Sequence, residues 1–276
     1  NRHRPQTNHA RGRLMFDLLQ ALQTELESHL LAAALVFLRI GAVVGLMPGF
    51  GESYLSMRVK LAASLALTVI VTPALDTTGI PAAVSIPRFA MFAITETAIG
   101  VLIGLAARMM LHAIQLAGSI AGQSTALAQV AGPGVAPEPL PAMGNGLTMA
   151  GIALAMVTGL PVKIVAGVIE SYATLGIGAA LPGAGVAEWG FGHASAAFSL
   201  GFTLAAPFVV AALLYNLALG AINRAMPQLM VAFIGAPLIT GATLALFLIA
   251  APVMLGVWNG RLDEVLEYPF ISGLGR

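Results

Sequence analysis

Two long runs of this chain carry no formal charge at all. One covers residues 189–223 and the other residues 225–260, and only Arg224 stands between them. Each run is longer than the roughly 20 apolar residues that cross the hydrocarbon of a bilayer. Over the whole chain only 9% of residues are charged, against about 25% in soluble domains. The mean hydropathy is +0.89. These features predict an all-α, polytopic membrane-associated protein, because a helix satisfies its backbone polar groups within its own segment.

The same composition excludes several functions. A net charge of +1 offers no electrostatic footprint for nucleic acid. There is no cysteine, hence no disulfide and no thiolate site. His3, His9, His29, His112 and His193 are scattered and lack metal-ligand spacing. No glycine-rich phosphate loop follows a strand pattern, and no nucleophile motif occurs. No catalytic residue, cofactor or metal is expected, and so no enzyme.

The chain opens on Arg2, Arg4, Arg11 and Arg13. Leu14, Leu18, Leu22, Leu26 and Leu30 then recur four apart, with Asp17, Gln20, Glu25 and Glu27 between them. Residues 1–27 therefore read as a basic, amphipathic segment that lies in the interface or packs on a partner. It does not read as a signal peptide, because no compact apolar core with a small-residue cleavage site follows the basic start. About six apolar helices or hairpins come next, near residues 30–47, 61–74, 89–107, 147–168, 198–219 and 229–257. The second is short for a span. The third can continue toward residue 121, past Arg108 and His112. An even count places both termini on one side, and the basic start with Arg261 favours the cytoplasm.

Charges within these segments are informative. Arg39 lies near the centre of the first, Glu96 early in the third and Arg108 later in the third. An arginine at a helix centre costs about 2.5–3.5 kcal/mol on insertion scales. It must therefore face protein or water, and Glu96 is the candidate partner. All three are expected to be buried structural charges, since an ion relay needs several intramembrane carboxylates. Glu170 and Glu188 fall in a glycine-rich connection, residues 170–191. Lys163 has a stem long enough to carry its charge to the interface. Gly41 with Gly45, Gly100 with Gly104 and Gly118 with Gly122 have the spacing of close helix packing.

Residues 118–141 break the apolar pattern. They carry Gln123, Ser124, Thr125 and Gln129, then Gly132, Pro133 and Gly134, then Glu138 among Pro137, Pro139 and Pro141. The prolines prevent helix from resuming. Two readings are open: a connection on one membrane surface, or irregular backbone that lines a passage.

Three stretches resemble a known family. Residues 214–238, LYNLALGAINRAMPQLMVAFIGAPL, carry Asn216, Asn223, Arg224, Pro227 and Gln228 in the family's turn motif. Residues 37–67 place Arg39, Pro48, Arg58, Val59 and Lys60 in family positions. Ala128, Gln129 and Pro133 fall where the family has its central loop. The family is that of the flagellar biosynthetic protein FliR and its virulence type III secretion counterpart SctT. The chain departs from it at Gly132, at Thr158-Gly159-Leu160 and at Leu175-Gly176-Ile177-Gly178.

The resemblance implies a subunit of the type III protein export gate, in the bacterial inner membrane at the flagellar basal body. Its implied partners are FliP-type and FliQ-type subunits, an FlhB-type subunit and unfolded protein substrates. It further implies that residues 28–193 resemble a FliP-type subunit and residues 194–276 a FliQ-type hairpin with a tail. The central loop, residues 123–141, is implied to be a pore plug. The alternative class is a small-solute secondary transporter. No repeat of equal halves and few solute-binding polar groups are visible to favour it.

Overall fold

The computed structural model describes residues 6–75, 84–126, 142–226 and 231–270. Among the described residues seven α-helices follow one another: α1 (Gln6–Leu46), α2 (Met57–Val71), α3 (Ile86–Ala126), α4 (Ala142–Val157), α5 (Leu160–Thr174), α6 (Gly183–Ala225) and α7 (Val231–Glu267). A short 3-10 turn, Thr72–Ala74, extends α2. Among the described residues there is no strand. Five of the described helices are long and apolar enough to cross a membrane, and α4 with α5 makes a candidate sixth span. The chain is an all-α polytopic membrane protein.

Helix lengths bear on how the chain sits. α1 and α3 have 41 residues each and α6 has 43. At about 1.5 Å per residue each is roughly 60 Å long. That is about twice the ~30 Å hydrocarbon layer. Much of this bundle must therefore stand outside lipid or lie steeply tilted in it.

The amphipathic stretch leads directly into the first apolar segment within one continuous helix, α1, with Leu18, Leu22, Leu26 and Leu30 exposed. Two expectations need correction. Residues 147–168 do not form one helix. Their apolar run is cut at Thr158 and Gly159, and α4 and α5 meet there at 74°. Gly159 has φ +88, a left-handed conformation that glycine adopts without a Cβ clash. Pro161 follows in the first turn of α5, where its missing N–H costs nothing. Last, the connection before α6 is only residues 175–182. Glu170 and Glu188 belong to α5 and α6.

α3 is the hub. It packs on α1, α4, α6 and α7. Ile99, Ile103, Ala106, Ala107, Met110, Ile114 and Ala117 are buried along it. The small residues among them let neighbouring backbones come close, which matters where lipid gives no hydrophobic reward for helix association. The outward faces stay apolar: Val69 and Ile70 on α2, Phe198, Phe202 and Leu213 on α6, and Leu248 and Ile249 on α7 are exposed.

Candidate functional site

The two fully buried charges, Arg39 and Glu96, meet beside buried Ser171, between α1, α3, α5 and the turn after α5. Arg39 comes from α1 and is fully buried; Glu96 comes from α3 and is fully buried too. They form a two-pronged pair. Arg39 Nε donates to Glu96 Oε2 at 2.8 Å, and Nη2 donates to Oε1 at 3.1 Å. This fork matches the geometry in which arginine binds carboxylate best.

Further hydrogen bonds surround the pair. Arg39 Nη1 donates to Ser171 Oγ at 3.0 Å, and Nη2 donates to the Leu175 carbonyl at 3.0 Å. Glu96 Oε2 accepts from the Tyr172 hydroxyl at 3.0 Å, and Oε1 accepts from the Gly178 N–H at 3.0 Å. The guanidinium also stacks on the Tyr172 ring, 3.5 Å from its centroid, a cation–π contact. Glu96 thus accepts four hydrogen bonds, two at each oxygen. A buried pair of this kind is tolerable only when its lone pairs and protons are satisfied. Removing one partner strands the other charge, at about 3–5 kcal/mol. Ser171, Tyr172 and Gly178 carried no expectation from the sequence. The signal for the first two was a Ser-Tyr step inside an apolar helix, a polar pair that needs a partner.

The other intrasegment charges differ. Arg108 is only partly buried, at 29% side-chain exposure, so it is not a buried charge. Its Nη1 lies 3.4 Å from both Glu52 Oε1 and the Leu46 carbonyl. Lys163 does not run to an interface alone. Its Nζ meets Asp263 Oδ1 of α7 at 2.6 Å. Asn259 Nδ2 donates to the other oxygen of Asp263 at 3.3 Å.

The glycine pairs divide. A Cβ on Gly100 would run into the Arg39 carbonyl, and one on Gly104 would lie 2.7 Å from Leu46 Cβ. α1 and α3 therefore touch through these two. A Cβ on Gly118 would lie 2.6 Å from Gly144 Cα on α4. A Cβ on Gly122 would reach the Met143 sulfur at 4.0 Å, and one on Gly41 or Gly45 would meet nothing within 4 Å. Among the described residues, the Cβ side of these last two is open.

Of the loop residues, Gln123, Ser124 and Thr125 form the last turn of α3, which ends at Ala126. Gln123 is exposed, while Ser124 is buried and donates to the Ile120 carbonyl at 2.8 Å. Gln129, Gly132, Pro133, Gly134 and Glu138 lie outside the described residues. In the turn motif, Asn216, Asn223 and Arg224 are exposed near the end of α6. Asn216, Leu217, Gly220, Ala221, Arg224 and Ala225 line a shallow recess of about 540 Å³. Pro227 and Gln228 lie outside the described residues.

Residues 30–265 match the family described as bacterial export proteins, family 1. The chain is 32% identical to the flagellar biosynthetic protein FliR of Caulobacter vibrioides, across 85% of this chain and 94% of that protein. It is 26% identical to the FliR protein of Bacillus subtilis, across 86% of this chain and 92% of that one. The FliR protein of Escherichia coli is also 26% identical, across 85% of this chain and 92% of its own length.

Proposed function

The chain belongs to the bacterial export proteins of family 1, and from that premise we propose that it is a membrane-embedded subunit of a flagellar export gate. The observation that carries this reading is the extent of the family match, residues 30–265. The curated relatives align over more than nine-tenths of their own length and are named flagellar biosynthetic proteins. In this reading the chain is a structural, non-enzymatic component. It forms part of a closed channel through which unfolded flagellar substrates leave the cytoplasm. Its place is the bacterial inner membrane at the flagellar basal body, with FliP-type, FliQ-type and FlhB-type subunits as partners.

The fold supports that reading in two ways. α1, α3 and α6 exceed a bilayer in length, as suits a gate built partly above the lipid. The apolar outer faces of α2 and α6 suit partner helices. Residues 28–193 take the FliP-like role and residues 194–276 the FliQ-like role, after the N-terminal segment 1–27. The pore plug is the stretch from Gln123 through Ser124, Thr125, Gln129, Gly132, Pro133 and Gly134 to Glu138, which begins in the last turn of α3.

The test is the complex purified in mild detergent. Its subunit composition should show this chain together with FliP-type and FliQ-type proteins in one large particle. A stable monodisperse monomer, or a homo-oligomer that transports a small solute, overturns the gate. For the plug, residues 126–138 are replaced by a short glycine linker. The assembled complex should then make the membrane leaky to ions and small solutes. A variant complex as tight as the parent returns these residues to the role of a surface connection.

A further inference from the structure

We propose that the Arg39–Glu96 pair is the seat of the α5–α6 turn, and through that turn sets where α6 begins against the α1–α3 core. An ion pair between α1 and α3 needs nothing from α5. Here two of the bonds come from the backbone after α5. The Leu175 carbonyl accepts from Arg39, and the Gly178 N–H donates to Glu96, both at 3.0 Å. The turn therefore offers an acceptor to the cation and a donor to the anion. That polarity has a direction. A turn shifted along its own chain would leave both charges short of a partner in a place without solvent.

The start of α6, with Pro182 at its N-cap, has no side-chain cap to fix it. Gly183 and Gly185 stand in its first turn and have poor helix propensity. Gly178 has φ +73, and a Cβ there would enter the Phe92 ring of α3. Only glycine lets the turn come down onto α3 at that point. One helical stretch further on, buried Trp189 fastens α6 a second time, its Nε1 donating to the Pro269 carbonyl after α7 at 2.7 Å. The pair and its turn thus form a positioning device between the α1–α5 part and the α6–α7 hairpin. This inference concerns the fold of the chain and stands apart from the gate reading.

The test uses the absence of native cysteine. Leu175→Cys supplies a sole thiol at a buried position in the turn. Ala107→Cys, buried in α3, supplies a control for general loosening. Maleimide labelling rates are measured in native membranes on the full chain. Gly178→Ala leaves both charges in place and should raise labelling at position 175 by roughly tenfold to a hundredfold, the size of one lost hydrogen bond to a charged group. Glu96→Gln should raise it at least as much. Labelling at position 107 should stay slow in Gly178→Ala. The reversed pair, Arg39→Glu with Glu96→Arg, keeps opposite charges on α1 and α3. It turns a carboxylate toward the Leu175 carbonyl and a cation toward the Gly178 N–H, so it should not restore protection.

Parent-like labelling of Gly178→Ala at position 175 overturns the proposal, as does restored protection in the reversed pair. Equal opening at positions 175 and 107 in Gly178→Ala also overturns it, since the pair would then hold the whole bundle rather than the turn. If Glu96→Gln does not accumulate, Gly178→Ala decides.

Discussion

The indole N–H of Trp258 on α7 donates to the main-chain carbonyl of Met110 on α3 at 2.7 Å. Trp258 is fully buried, and its ring lies against Gly151 of α4, where a Cβ would sit 3.1 Å from the ring edge. One side chain thus ties α7 to both α3 and α4. Trp258→Ala should cost about 3–5 kcal/mol, because the cavity adds to the lost contacts. Trp258→Phe keeps most of the volume and should cost about 1 kcal/mol for the missing hydrogen bond. Thermal unfolding of the detergent-solubilised complex should rank parent, Phe and Ala in that order. Equal loss from Phe and Ala would mean that the hydrogen bond, not the packing, carries the contact.

What could be read in the sequence depended on whether a feature had a side chain to declare it. Arg39 and Glu96 stand out because a charge in an apolar segment requires a partner. Leu175 and Gly178 do not, because they hold the pair through their backbone, and backbone ligands leave no mark in composition. The break between α4 and α5 was masked by continuous hydropathy across residues 147–168, although Gly159 and Pro161 together carry the local signal. Glycine spacing named faces but not neighbours. Gly41 and Gly100 look alike in sequence, yet among the described residues a Cβ would strike a neighbouring helix at Gly100 and meet open space at Gly41.

The Lys163–Asp263 pair should behave differently from the Arg39–Glu96 pair under charge reversal. Its side chains are 28% and 37% exposed. Its neighbours are Thr158 and Asn259, whose hydroxyl and amide can each donate or accept. Asp263→Asn should therefore cost only about 1 kcal/mol, as partly exposed pairs do. The double variant Lys163→Asp with Asp263→Lys should recover most of that loss in thermal unfolding. Failure to recover would show a fixed polarity at the α5–α7 contact.

Arg39 and Arg108 both lie in apolar helices, yet they should respond unequally to substitution. Arg39→Leu leaves Glu96 buried and unpaired, at a cost of about 3–5 kcal/mol. It should sharply lower the yield of assembled complex, and adding Glu96→Gln should restore part of it. Arg108 makes only 3.4 Å contacts and is 29% exposed. It acts as a cation beside the last carbonyl of α1, where such a charge contributes about 1 kcal/mol, and about 2 kcal/mol at most when partly buried. Arg108→Gln should assemble at near-parent yield. A collapse in yield for Arg108→Gln would instead place a partner's carboxylate against it.

The glycines allow the sharpest separation of packing within the chain from packing between chains. At Gly118 a Cβ would lie 2.6 Å from Gly144 Cα and 2.8 Å from the Met143 carbonyl. Backbone cannot yield as a flexible side chain can, so α3 and α4 must move apart. Gly118→Ala should lower stability by about 1–3 kcal/mol, the usual cost of overpacking. At Gly41 a Cβ would meet nothing within 4 Å. There alanine removes glycine's helix penalty, a gain of up to about 1 kcal/mol. Gly41→Ala should therefore leave the fold of the chain intact or slightly firmer. The two variants are compared by thermal unfolding and by yield of assembled complex. A Gly41→Ala chain that folds but fails to assemble would locate a partner helix at close approach on that face of α1. A Gly118→Ala chain as stable as the parent would mean that α4 is free to shift along α3, and that their contact is not fixed by backbone approach.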